Sequence, residues 1–255
     1  IDLSIKLFPW AEYTPGTAKV KLSVGLNHGT SIPEFVALSD GNENDMVRGR
    51  TFTFPKGSIV AFDKGYNDYQ WFGDLTKQGV SFVTRLRRKA VYSVLERREV
   101  NKTRGISSDQ IIQFNSAHAM KRGAPKLRRI GFRDKESGKF YRFLTNNFTL
   151  AASTIAAIYK DRWQVELFFK AIKQNLKIKA FVGKSRNAVL TQIWIAMITY
   201  LLLAFARHSA KTGWTVQRIL RVIQLNLFER RPLADILKPD NPRHKKSEPQ
   251  MRFAL

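Results

Sequence analysis

The sequence has no cysteine and only four histidines among 255 residues. That excludes a disulfide framework, a thiolate nucleophile and Cys-ligated zinc, leaves the imidazoles a poor basis for a metal centre, and fits a reducing compartment. Acids are scarce as well: 20 Asp and Glu stand against 44 Lys and Arg, a formal charge of +24. An ordinary metabolic enzyme has no need of such a charge, whereas a polyanionic partner would explain it, and nucleic acid is the first candidate. A membrane surface suits less well, because the cations are scattered through both halves rather than gathered beside an amphipathic anchor or lipidation motif. Neither a methionine nor a signal peptide opens the chain; the start at Ile1 reads as a cut end, and a cytoplasmic location is expected.

What is present supports a globular fold. Apolar residues make up 44% of the chain, enough for one large domain, expected over residues 1–237, with a mobile basic tail at 238–255 containing three prolines and PRHKK. The uncharged run from Ala188 to Ala206 is about as long as the shortest membrane spans. Its Gln192, Thr191 and Thr199, with basic residues on both sides, favour a buried core helix.

The first third predicts strands. Leu3 to Phe8 is one candidate; Lys19 to Leu26 (KVKLSVGL) alternates apolar and polar residues, and Pro33 to Leu38 answers it across the turn at Asn27–Gly29, making a hairpin. A short helix is expected at about residues 43–48, where Asp40, Glu43 and Asp45 suit a turn and helix start. Ser58 to Phe62 is a buried-type strand running straight into Asp63, and a helix from Asp68 to Gln78 and a strand from Ser81 to Leu86 complete a β-α-β unit. Residues 88–145 read as a β-rich insertion whose short strands are separated by basic loops (LRRK, LERREVNKTR, MKRGAPKLRR), and the chain is helical from there to about Phe228, with Thr149 or Ser153 as the first helix cap.

Three dense cation clusters lie in this middle segment: Arg85, Arg87, Arg88 and Lys89; Arg97, Arg98, Lys102 and Arg104; Lys121, Arg122, Lys126, Arg128 and Arg129. Their recurrence with few balancing acids points to phosphate contacts. The stretch from Tyr159 to Ala180 reads as one helix. With Tyr159 at zero, Arg162 falls near about 300°, Glu166 near about 340° and Lys173 near about 320°, with Lys170 and Lys177 close by. Spacing alone leaves Glu166 as a surface acid paired with Arg162 and Lys170. Trp71, Trp163 and Trp194 read as core residues, with base stacking the alternative.

The string Tyr159-x2-Arg162-x3-Glu166-x6-Lys173 resembles the signature of the DDE transposases of bacterial insertion sequences, in the family named after insertion sequence four. LFPWAEY, FVALSDG, Asp63–Tyr66, FLTNNFTL, TQIWIA and LNLFERRPL follow in that family's order, so the likeness covers almost the whole chain. The resemblance implies a ribonuclease H-like α/β fold, a mixed sheet with a β-rich insertion and a helical C-terminal half. It also implies metal-dependent DNA strand cleavage and strand transfer with two Mg2+ (or Mn2+) ions, and pairing of transposon ends in a homodimer. Carried over, Asp63 and Glu166 are catalytic metal ligands. Tyr159, Arg162, Lys170, Lys173, Arg87, Arg88, Lys126, Arg128 and Arg129 are the DNA contacts. The family's first catalytic Asp precedes LFPWA by more residues than Asp2 does, which places it ahead of Ile1. A binding-only fragment and a metal-dependent nuclease without strand transfer are the alternatives.

Overall fold

The computed structural model describes residues 1–3, 6–30, 32–175 and 181–237. The predicted tail at 238–255 and the end of the predicted helix at 176–180, with Lys177, lie outside the described residues. The chain divides into two compact units, Ile1–Leu167 and Phe168–Leu255.

In the first unit, β1 (Asp2–Leu3), β2 (Glu12–Thr14), β3 (Thr17–Leu26) and β4 (Pro33–Asp40) make a four-stranded sheet in which β3 pairs antiparallel with the other three. The first strand is shorter than Leu3 to Phe8: Lys6 and Leu7 form a turn, and Pro9, whose ring fixes its backbone angle, opens a short 3-10 turn. The hairpin of β3 and β4 forms as expected. Gly25 lies opposite Phe35, whose ring occupies the space a Cβ would need and packs on Phe52 at 4.3 Å between centroids. The helix α1 (Asp45–Gly49) is capped by Asn44, whose side chain accepts from the Met46 N–H.

Next, β5 (Ile59–Ala61), α2 (Tyr69–Lys77) and β6 (Ser81–Arg85) form the β-α-β unit, its strands parallel. Then β7 (Tyr92–Arg98), β8 (Ile106–Phe114), α3 (Ala117–Lys121), β9 (Leu127–Arg133) and β10 (Phe140–Thr145) precede α4 (Ala152–Asp161). The six strands form one mixed sheet in the order β5-β6-β10-β9-β8-β7. The segment read as an insertion therefore continues the sheet that carries Asp63, through antiparallel pairing of β10 with β6. Two of its basic loops contain strand: Leu95–Arg98 ends β7, and Leu127–Arg129 begins β9. Alternation explains the miss, since a strand can send one arginine to each face of a sheet.

Helices pack on part of each face of this sheet. Phe72 and Leu75 of α2 pack with Phe82, Phe114, Leu127 and Leu144 on one side; Ile155, Ala156 and Tyr159 of α4 pack with Val83, Ile130 and Phe143 on the other. The asparagine pair of FLTNNFTL ties strand to helix. Asn146 accepts from Phe82 N–H and donates to Val80 O, while Asn147 accepts from the N–H groups of Thr149 and Leu150. That turn supplies the start of α4, so its N-cap is Ala151, without a side-chain cap, and neither Thr149 nor Ser153 serves.

The predicted helix from Tyr159 is interrupted once. Arg162 ends α4 in a tight turn, with Val165 N–H bonded to its carbonyl at 3.1 Å, and α5 (Trp163–Asn175) follows. The second unit continues with α6 (Arg186–Ser209), α7 (Val216–Leu225) and α8 (Leu233–Ile236). Leu203 of α6, Ile219 of α7 and Leu237 form one buried cluster there. The α6 helix is not apolar and buried all round: Val189, Ile193, Met197 and Tyr200 are buried, while Trp194, Ile198, Leu202 and Phe205 are exposed. The core reading holds for Trp71 alone of the three tryptophans; Trp163 is 56% exposed and Trp194 is 42% exposed.

Candidate functional site

The parallel strands β5 and β6 end at one edge of the sheet, and the carboxyl edge of parallel strands is where open α/β sheets place ligands. Asp63 follows β5 there, and Arg85 ends β6, its guanidinium 3.5 Å from an Asp63 carboxylate oxygen. The loop after Asp63 is held by other residues. Asn67 donates to Arg85 O and accepts from the Thr84 hydroxyl. Asp68 caps α2 through Trp71 N–H at 2.9 Å and pairs with Arg50 at 2.6 Å and Arg122 at 3.2 Å. Asp63 has no such duty: it precedes a 3-10 turn without capping it, and its Oδ1 is buried with no hydrogen-bond partner.

From the opposite side come α4 and the start of α5. Tyr159 is buried, its ring 4.9 Å from Phe143 and flanked by Arg85 and Arg162 at cation–π distance. Burial pushes its phenol above the ordinary range, against the nearby charges of Arg162 and Arg85. Arg162 donates to Glu166 Oε1 at 2.8 Å, and Glu166 is 41% exposed. Burial works against the charge on Arg162, yet its bond to Glu166 and the fields of Tyr159, Asp63 and Glu166 prevail and raise its pKa. Arg162 thus lies within the electrostatic reach of both acids.

Five buried side-chain atoms lack a hydrogen-bond partner among the described residues, and four belong to this site: Asp63 Oδ1, Arg85 Nε, Tyr159 Oη and Arg162 Nε. Native interiors satisfy such groups, so their concentration in one place marks a site kept open for something else. A cleft of about 640 Å3 beside it is lined by Asp45, Asp63, Lys64, Tyr66, Arg87 and Arg88. Arg87 anchors itself to Asn67 O at 3.0 Å, and Arg88 is exposed. Burial raises the phenol of Tyr66, and Asp45 and Asp63 add to the shift against a bond to Ser23.

The structure thus brings together Asp63, Tyr159, Arg162 and Glu166, with Arg87 and Arg88 on the adjoining cleft. Lys126, Lys170 and Lys173 are exposed. Arg128 must be corrected. It is 3% exposed, pairs with Asp109 at 2.6 Å and donates to Leu150 O at 2.6 Å, so the group is buried and engaged within the protein rather than turned to DNA. Arg129 is half-buried on the sheet and bonded to Gln110. Arg85 is the member that sequence reasoning placed only within a charge cluster; its position as the last residue of a strand parallel to the Asp63 strand was the available signal.

Asp45, Asp63, Arg87 and Arg88 face one cleft on a strongly basic protein, with Arg85 beside Asp63. Comparison with known proteins identifies the family. Residues 8–202 match the family described as the transposase DDE domain. A protein of Sinorhizobium fredii named as a transposase, y4zB, is 34% identical over 98% of this chain and 72% of its own length. One of Geobacillus stearothermophilus named as a transposase for insertion sequence element IS5377 is 31% identical over 80% of this chain and 53% of its own. A third, of Synechocystis, named for insertion sequence element IS4SA, is 26% identical over 84% and 61%. The chain belongs to the transposase DDE domain family. It is an enzyme family acting on DNA with divalent metal ions, and the relatives favour an insertion-sequence transposase over the binding-only and nuclease alternatives.

Proposed function

We propose that the six-stranded sheet and its flanking helices are the core of a ribonuclease H-like transposase centre, in which Asp63 and Glu166 hold Mg2+ or Mn2+ for strand cleavage and strand transfer at transposon ends. The observation that carries this reading is the cluster of unsatisfied buried groups around Asp63, Arg85, Tyr159 and Arg162. The donor set fits in kind: carboxylate oxygens are the hard ligands such ions take, and Asp63 Oδ1 is buried without a hydrogen-bond partner, its nearest cation being Arg85 at 3.5 Å. Among the described residues no cluster of three His, Cys, Asp or Glu could hold a metal, so these two acids supply part of the coordination. When bound, two such ions activate the attacking oxygen and stabilise the leaving one.

The protein's own groups do the positioning. Arg162 fixes Glu166 with one nitrogen and keeps its Nε unbonded. Arg85 orients Asp63, and Tyr159 forms the floor against which both guanidinium groups rest. Arg87 and Arg88 grip the backbone of the reacting strand along the cleft. Lys126, Lys170 and Lys173 add phosphate contacts, and the exposed ring of Trp163 offers a stacking surface for a base. Two copies pair on two transposon ends in the bacterial cytoplasm.

The test is nicking of end-containing DNA by the full-length protein in Mg2+ or Mn2+. Asp63→Asn and Glu166→Gln are each expected to abolish nicking while the fold and DNA affinity persist; undiminished nicking by Glu166→Gln removes it from the metal site.

A further inference from the structure

The fifth unsatisfied buried atom, Arg129 Nε, lies elsewhere, on the other face of the six-stranded sheet. Arg129 on β9 stands opposite Gln110 on β8, which stands opposite Arg97 on edge strand β7. In the other direction Arg129 stands opposite Leu144 on β10, a residue of the core that packs on α2. Two residues along, Arg142 stands opposite Gly131 on that same face. Asp63, Arg85 and Tyr159 belong to the α4 side, with Val83 and Phe143. The register therefore separates the two groups of arginines by the thickness of the sheet.

This second group has the marks of a binding surface. Arg129 donates to Gln110 and, at 3.4 Å, to Ser108, two neutral partners that orient the guanidinium without neutralising it. It lies over the Tyr92 ring at 5.7 Å, and Arg142 lies over the Phe140 ring at 5.8 Å. Arg97 and Arg142 are exposed. Among the described residues no ion pair joins any of the three to an acid, although Arg50, Arg85, Arg122, Arg128 and Arg162 each have one. Burial pulls Arg129 below its usual pKa, and the charges of Arg142 and Arg97 act in the same direction against Tyr92. Arg129 and Arg142 braced on rings, with Arg97 within electrostatic reach of Arg129 and no acid paired to any of them, await an anion. Gly131 contributes by what it lacks: a Cβ there would stand 2.5 Å from the hydroxyls of Ser107 and Ser108.

We infer that Arg97, Arg129 and Arg142 form a second phosphate-binding surface, on the sheet face away from Asp63, which holds the backbone of a DNA segment distinct from the reacting strand. The inference rests on the transposase reading for its ligand, since DNA bound at the edge cleft presents further duplex to the rest of the protein. Planar guanidinium groups braced on aromatic rings suit phosphodiester oxygens.

The experiment follows binding of the full-length protein to random-sequence duplex by fluorescence anisotropy across a salt series. The double variant Arg97→Gln/Arg142→Gln is expected to lower the salt slope by about 0.9 for each phosphate that is no longer neutralised. The double variant Arg97→Lys/Arg142→Lys is expected to keep the slope. Both positions are exposed, so melting curves should match the wild type. An unchanged slope in the glutamine variant, or an equal loss in the lysine variant, overturns the proposal. Nicking by Asp63→Asn is measured beside it: if that variant still nicks, the catalytic reading fails while the slope still decides the arginine face.

Discussion

Replacing Arg128 by Met tests how the sheet is joined to the helix that carries the site. Arg128 is 3% exposed and Asp109 5%, and the two meet through paired bonds of 2.8 and 2.6 Å. The remaining nitrogen donates to Leu150 O at 2.6 Å and Asn147 O at 3.3 Å, in the turn that starts α4. Met fills the stem of the side chain but leaves a buried carboxylate alone and two carbonyls short of a donor. Breaking such a buried pair costs about 3–5 kcal/mol, and the two lost hydrogen bonds to part-buried carbonyls, one of them long, together add about 1 kcal/mol. A total of about 4–6 kcal/mol would take much of the stability of a domain that has about 5–15 kcal/mol. Urea unfolding followed by circular dichroism measures it. The double change Arg128→Met/Asp109→Leu removes both charges and should recover most of the loss. If the single change costs less than about 1 kcal/mol, or the double change is no better than the single, the pair is not the anchor argued for. A lowered salt slope for DNA in a folded Arg128 variant would return that residue to the interface.

Two further outcomes follow from packing and burial. Gly25→Val puts a branched side chain where the Phe35 ring lies; repacking should cost about 1–3 kcal/mol in urea unfolding, and Gly25→Val combined with Phe35→Ala should recover part of it. Tyr159 has its phenol raised by burial, so the folded state holds that proton more tightly than the unfolded chain does. Its contribution is full below the ordinary value of 10.0 and is lost as pH rises through the raised folded value, so urea midpoints should fall in strong alkali and Tyr159→Phe should flatten that fall.

Much of the fold was legible because local signals agreed with it. The alternating strand expected at Lys19–Leu26, the β-α-β unit whose first strand leads into Asp63 and the helical half are all there. What failed was the reading of charge. Runs of arginine looked like loops, yet Leu127–Arg133 is a strand whose consecutive Arg128 and Arg129 serve opposite faces, one as a buried anchor and one half-buried over the Tyr92 ring. One-dimensional charge density cannot separate those roles, because the partner of Arg128, Asp109, is on a neighbouring strand whose register is set by the fold. Likewise Trp194 sits in an apolar run but on its exposed side, and Arg162 ends one helix where periodicity continues straight through. Arg85 became a site residue only when β6 was seen to run parallel to β5.

The contrast between two aspartates, five residues apart, separates a site from a salt bridge. Asp68 is surrounded by Arg50, Arg122 and the Trp71 N–H, all within 3.2 Å, and neither of its own oxygens is among the buried atoms without a partner. Asp63 has comparable company in Arg85, with Arg162 within electrostatic reach, yet a carboxylate oxygen, two guanidinium Nε atoms and a phenol remain without partners around it. Folding alone could have closed this second group as it closed the first, since the same residue types were available a turn away. Leaving a buried polar group without a partner costs free energy, so the gathering of four such groups at one place sets this site apart from the Asp68 pairs. The Arg162–Glu166 pair does not offset that, because a partly exposed pair contributes little on its own. A cation for the acceptors and phosphate oxygens for the donors would satisfy all four groups together, which is why the two acids are read as ligands and the two arginines as substrate contacts.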